Sequence, residues 1–328
     1  MQHDDNATRR TVLAAAAGGA AAAAGGAALA QAPAPRAKGP IVWLDMDQQQ
    51  LDDAYDQMVY APNRDQVAKR RLANSEKTRT ILGAPQRVAY GPTEIEHLDI
   101  YRCKQANAPV NIYIHGGAWR ANRAADYAFL AELFVNAGAH LVVLDFINVD
   151  DAGGSLFPIV EQVRRAVGFV YQNAPGFGGD PDRLYLASHS SGSHLGGCIV
   201  TSDWRKENLP TDVLKGATLS SGMYDLKPVR LSKRSKYVKF TDAMEEELSA
   251  QRHIERLHTP LILAHGTYET PEFQRQTRDF FAAVKAAGKP AELLVGEGYN
   301  HFEMLETLAS PYGLLGRAVL RQMKLAAV

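Results

Sequence analysis

The sequence predicts an α/β fold, with a mostly parallel central sheet and helices on both faces. Three observations predict it. Short apolar runs alternate with stretches of helical periodicity from about residue 95 onward. The run H-L-V-V-L-D-F from His140 to Phe146 is nearly all apolar, as a strand covered on both faces requires. Residues Leu184–Leu195, L-Y-L-A-S-H-S-S-G-S-H-L, read as a strand, a sharp turn and a helix, with Ser190 at the apex.

Near the start of the chain, Thr8-Arg9-Arg10-Thr11-Val12-Leu13 is followed by Ala- and Gly-rich sequence and a small-residue site at Ala28-Leu29-Ala30. Basic, apolar and cleavage regions come in the order of an export signal. Residues 1–30 resemble a twin-arginine signal peptide. That resemblance implies the twin-arginine export machinery as a partner of the precursor, removal after about Ala30 and a periplasmic location. Gly and Ala dilute the apolar stretch too far for a permanent membrane anchor. Residues 31–44 are expected to be a linker, and residues 45–328 a single domain.

Within that domain, Leu51, Ala54, Tyr55 and Met58 have helical spacing over 47–60, with Asp47 and Gln50 as a capping pair. A more polar helix is predicted over 64–82. These two helices precede the main strands and are expected to form a partial lid. Strands are predicted at about 95–102, 110–114, 140–146, 184–187, 216–220, 260–264 and 291–295. Helices are predicted near 126–137, 192–202, 272–287 and 302–325, and around Ile159, Val163, Val167 and Val170.

The 36 basic residues balance the 36 acidic ones, so no basic excess points to nucleic acid. Cys103 and Cys198 are too few for a disulfide framework. Cys198 reads as a buried small hydrophobe; exposure of Cys103 and a bond between the two are both left open. No metal-ligand spacing occurs, and no metal or organic cofactor is expected. The basic stretch Lys227–Lys239 reads as a solvated face balanced by Glu245, Glu246 and Glu247, with attraction of an acidic substrate as the alternative.

Reactive groups in such a sheet gather beyond the carboxyl ends of its strands. After the strand ending at Ile114 comes His115-Gly116-Gly117-Ala118-Trp119, a turn whose backbone N–H groups suit an oxyanion. Gly117 and Ala118, with Ser191, are the expected donors. After the 260–264 strand, Glu269 is the expected acid, with Glu272 and Asp225 as competitors. After the 291–295 strand, His301 is the expected base, and Ser190 is the expected nucleophile. Trp119, Tyr55, Tyr60, Tyr127 and Phe157 are the aromatic residues assigned to an apolar substrate pocket.

With these residues in place, the chain over about 45–325 resembles the α/β-hydrolase superfamily. Within it, it resembles the arylformamidase-like (kynurenine formamidase-like) esterases, relatives of the hormone-sensitive-lipase group. The H-G-G-x-W element, Ser220–Leu226 and Pro271–Gln276 carry this likeness. Two positions depart from the usual pattern. Ser188 replaces the first elbow glycine, and the acid is Glu. The resemblance implies an α/β-hydrolase fold and serine hydrolysis of small apolar or aromatic carboxylic esters. The alternatives are amide hydrolysis of N-formyl aryl amines, such as N-formylkynurenine, and a non-catalytic binding protein on the same fold. Ser190 at the elbow argues against haloalkane or epoxide chemistry, which needs a carboxylate there. Sequence does not set the oligomeric state.

Overall fold

The computed structural model describes residues 37–326, so the predicted signal and most of the predicted linker lie outside the described residues. The last residues read as linker, Ile41–Trp43 (β1), pair with Met46–Asp47 (β2) as a small ribbon. Eight further strands build one sheet. They are β3 (Gln86–Ala89), β4 (His97–Tyr101), β5 (Ala108–Ile114), β6 (His140–Leu144), β7 (Gly179–His189), β8 (Gly216–Ser220), β9 (Leu261–Gly266) and β10 (Ala291–Gly296). Their spatial order is β10-β9-β8-β7-β5-β6-β4-β3. All neighbouring pairs from β6 to β10 are parallel; β4 runs antiparallel to both β3 and β6. The sheet is the mostly parallel one predicted. The domain predicted over 45–328 falls within the compact unit Gly39–Val328.

The central strands β5, β6, β8 and β9 are buried along their whole length, because helices cover both faces. One layer of core packs Val163, Val167, Leu195 and Ile199 against Ile112, Leu186 and Leu219. The other packs Tyr127, Phe134, Leu308 and Val319 against Tyr113, Val143 and Tyr185.

Three predicted helices are broken. The helix expected over 47–60 ends at Ala54 and restarts at Gln57, because Asp56 caps a new turn by accepting from the Met58 N–H at 3.0 Å. The capping pair expected at its start is present as a reciprocal box between Asp47 and Gln50. The helix expected over 126–137 begins as a 3-10 turn, Ala124–Leu130. The helix expected over 302–325 divides into His301–Glu306 and Leu314–Gln322 around Pro311, which cannot donate a helical hydrogen bond. Strand β3 carries too little apolar patterning to read from sequence, and three of its four residues are exposed. Cys103 is buried, not exposed, and both cysteines are free thiols. Among the described residues, no helix is long and apolar enough to cross a membrane.

Candidate active site

The sheet register sets five strand ends level. Ile114 lies opposite Ser188, His189 opposite Ser220, Ser220 opposite Ala264, and His265 opposite Val295. The loops that leave β5, β7, β9 and β10 therefore emerge along one rim, and they carry the glycine turn, Ser190, Glu269 and His301.

Ser190 sits at the elbow with φ 60° and ψ −130°. A non-glycine residue held there stores about 1–3 kcal/mol of backbone strain. The elbow is clamped on both sides. The Ser190 N–H donates to the Ser220 carbonyl at 3.0 Å, and the Ser190 carbonyl accepts from Ser193 N–H at 2.8 Å. Gly192 allows the tight passage beneath, since a Cβ there would come within 2.3 Å of the Ile114 carbonyl oxygen. Ser188, in place of the usual glycine, is absorbed by a hydrogen bond of 2.9 Å between its hydroxyl and that of Ser193.

His301 links two partners. Its Nε2 is 2.8 Å from Ser190 Oγ, and its Nδ1 is 2.7 Å from Glu269 Oε2. Asn300 fixes the ring by capping the helix His301–Glu306, with Glu303 completing the box. The other oxygen of Glu269 accepts from Ser221 Oγ at 2.6 Å and from the Gly266 N–H at 2.7 Å. Both imidazole and carboxylate are almost wholly buried. The competing acids are elsewhere engaged. Glu272 pairs with Arg275 and accepts from the Tyr55 hydroxyl, and Asp225 caps the short helix Leu226–Leu231.

The glycine turn lies against the elbow. A Cβ on Gly116 would sit 2.9 Å from Ser190 Cβ, and one on Gly117 (φ +123°) would meet the Ala121 carbonyl oxygen at 2.3 Å. Ser191 Oγ accepts from the Trp119 N–H at 3.2 Å, tying this loop to the elbow helix. Among the described residues, nothing accepts from the N–H groups of Gly117, Ala118 or Ser191. That of Ser191 also lies at the positive end of the helix Ser191–Val200.

A cavity of about 450 Å³ opens over this rim, lined by Ser190, His301, Gly117 and Ala118. One wall comes from the N-terminal helices through residues such as Tyr55, Met58 and Ala68. Of the five aromatics assigned to the pocket, only Tyr55 lines it. Trp119 is buried beneath, its indole N–H donating to His194 Nδ1 at 3.2 Å. Tyr127 is buried behind Asn122, to which its hydroxyl is bonded. Tyr60 lies past the end of the wall and is exposed, and Phe157 lines a separate cavity beside Cys198. Aromatic residue type alone does not separate a core ring from a wall ring. Sequence reasoning missed Arg71, Arg234 and His189 as lining residues. Arg234 is hidden in a basic run beside Lys233, which pairs with Asp56, and no periodicity marks it.

Burial holds two histidines of this site neutral. His189 is pushed well below its usual range by burial and then by His301 beside it, and its Nε2 lies 2.8 Å from the His301 carbonyl oxygen, to which it donates. Burial pushes His194 down to about 4. The unfolded chain binds protons at these positions below about pH 6.5, where the folded chain does not. Their contribution to stability is complete above that pH and is lost as the pH falls through their lowered folded-state values, about 4 for His194. For His194 the loss between pH 6.5 and 5 is about 2 kcal/mol. Urea unfolding at pH 7 and pH 5 is expected to show a lower stability at pH 5, and His194→Gln to narrow that difference. An unchanged difference in the variant would refute this assignment.

The BD-FAE family model matches residues 98–283, a span that includes Ser190 and Glu269 and stops short of His301. The chain is 28% identical over 294 residues to the kynurenine formamidase of Danio rerio, covering 86% of this chain and 98% of that protein. It is 26% identical over 247 residues to the isoprenylcysteine alpha-carbonyl methylesterase of Arabidopsis thaliana, covering 66% of this chain and 56% of the plant protein. Among solved structures, a propionate-bound thermophilic esterase from Thermogutta terrifontis superposes with a TM-score of 0.62 at 19% identity, over 75% of this chain and 97% of that one.

Proposed function

We propose that this chain, which belongs to the BD-FAE family of α/β-hydrolases and is a hydrolase of the esterase or amidase type, is a serine carboxylic ester hydrolase acting through an acyl-enzyme. The observation that carries this reading is the unbroken hydrogen-bonded line Ser190–His301–Glu269, whose first two members line a cavity beside backbone N–H groups that have no acceptor among the described residues. In the proposed cycle, Ser190 Oγ attacks the substrate carbonyl carbon as His301 Nε2 takes its proton. The carbonyl oxygen becomes an oxyanion facing the N–H groups of Gly117, Ala118 and Ser191. Each such donor contributes about 10²–10³ in rate. The bond to the leaving alcohol or amine then breaks, and that group takes the proton from His301. Water gives a proton to His301 and attacks the acyl carbon. The acid departs, and Ser190 recovers its hydrogen.

Arylformamidase activity is the second reading, favoured by the kynurenine formamidase relative, which aligns over nearly its whole length. Side-by-side kcat/KM on short aryl esters and on N-formylkynurenine separates the two. The ester reading expects the aryl esters to be preferred, and a clear preference for the formamide would replace it with the second. Export through the twin-arginine pathway, a periplasmic location and a covering role for the N-terminal helices are part of the same proposal.

The role proposed for Glu269 is to hold the His301 tautomer and to balance the imidazolium. Glu269→Gln keeps the shape and removes the charge. It is expected to lower kcat by up to about 10⁴ with little change in KM. A mild effect would move the acid role away from Glu269.

A further inference from the structure

The cavity over Ser190 is lined by four cationic side chains, Arg64, Arg71, Lys233 and Arg234, and by two anionic ones, Asp56 and Asp65. Two of the cations are matched. Arg64 bonds Asp65 at 2.7 Å, and Lys233 pairs with Asp56. The neighbouring acids Glu269, Glu272 and Glu303 are held by His301, Arg275 and the Asn300 cap. Among the described residues, neither Arg71 nor Arg234 has a carboxylate within salt-bridge distance.

Arg234 is the sharper case. It is 93% buried, yet it lines the cavity. Its guanidinium carbon lies 5.5 Å from the Trp119 ring, 5.9 Å from Phe273 and 6.0 Å from Tyr55. These rings place it beside the reacting centre, because Trp119 follows Ala118 in the glycine turn and Phe273 packs edge-on against His301 with centroids 5.1 Å apart. One Nη donates to the Tyr55 carbonyl at 3.2 Å and the other to the Tyr237 hydroxyl at 2.9 Å. The Nε–H is buried and has no partner. Arg71 repeats the pattern. It bonds the neutral groups Asn122 Oδ1 and Tyr127 Oη, and its Nε–H is also buried without a partner.

A permanently charged guanidinium taken out of water without a counter-charge is costly. A strut between Tyr55 and Tyr237 needs only neutral donors. Buried, unpartnered N–H groups and a guanidinium with no carboxylate at salt-bridge distance, on residues that line a substrate cavity, fit a site whose counter-ion arrives with the ligand. We propose that the substrate carries a carboxylate on its non-reacting part, and that Arg234, assisted by Arg71, binds it. This deepens the acyl-transfer reading and rests on it. The basic run Lys227–Lys239 then has two parts. Its paired cations balance local acids, Arg230 with Asp242 and Glu245 and Lys233 with Asp56, while Arg234 selects the substrate.

Two matched ester pairs test the proposal. One places the anion in the leaving group (4-carboxyphenyl butanoate against 4-carbamoylphenyl butanoate), the other in the acyl group (phenyl hydrogen adipate against phenyl hexanoate). In at least one pair the charged ester is expected to have the higher kcat/KM. Arg234→Gln should lower that charged-to-neutral ratio roughly 10- to 100-fold, with partial rescue by Arg234→Lys. A strut would lower both members of a pair together and leave the ratio unchanged, which would overturn the proposal. So would a preference for the neutral ester in both pairs. Calorimetric binding of adipate and benzoate to Ser190→Ala reads the same site without turnover. If none of the esters is hydrolysed but one carboxylate binds and is lost on Arg234→Gln, the anion site stands and the acyl-transfer reading falls. If esters are hydrolysed without charge preference and neither carboxylate binds, the anion site falls alone.

Discussion

Ser190→Ala is expected to lower kcat on p-nitrophenyl acetate by roughly 10⁴–10⁶ and to leave the fold intact. The size follows from what the hydroxyl does and from how little else depends on it. In the proposed cycle, removing Oγ removes the nucleophile, and no other group within the Ser190–His301–Glu269 line can replace it. What survives is the cavity and the N–H groups of the glycine turn, which still sustain a residual rate over water. Structurally the change is small. The clamps on the elbow are backbone bonds, from Ser190 N–H to Ser220 and from Ser193 N–H to Ser190, and a methyl side chain keeps both. Alanine still bears the strained φ of the elbow, so unfolding midpoints should move little. Near-normal turnover by a purified variant would reject Ser190 as nucleophile; a large fall in stability would mean that the elbow needs its hydroxyl.

The parts of this site that were legible in the sequence share one property: local pattern and strand order determine them. An apolar strand followed by a small-residue turn gave Ser190, and two strand-end loops gave Glu269 and His301, because parallel strands deliver their carboxyl ends to one rim. The central strands were legible for the same reason, as apolar runs buried on both faces. Long-range packing was not legible. Trp119 and Tyr127 read as pocket residues because an aromatic ring looks the same in sequence above or beneath a loop. Asp56 ends one helix and starts another, although Tyr55 and Met58 keep the helical spacing across the break. Arg234 lies in a run of surface cations and turns inward only because Tyr55, Trp119 and Phe273, from three distant parts of the chain, build a box around it.

His301→Asn is expected to be as severe as Ser190→Ala in kcat, and His301→Ala to differ from both in a second measurement. Asparagine, though smaller, keeps an N–H that can face Glu269, but it cannot shuttle a proton at neutral pH. Ser190 then keeps its proton, and the leaving group receives none. The second consequence comes from the buried carboxylate. With alanine at 301, Glu269 Oε2 loses the Nδ1 partner at 2.7 Å, while Oε1 keeps Ser221 and the Gly266 N–H. A carboxylate that loses a buried partner is destabilised by about 1–3 kcal/mol. His301→Ala should therefore unfold at lower urea than either the parent or Ser190→Ala. Pairing it with Glu269→Gln should recover part of that loss, because the buried charge is gone. The recovery applies to stability and not to activity. Groups that act as one unit fail together, so Ser190→Ala combined with His301→Asn should be no slower than either alone. Rates that multiply in the double variant would mean that the hydroxyl and the imidazole work independently, and the proton transfer between them would have to be abandoned.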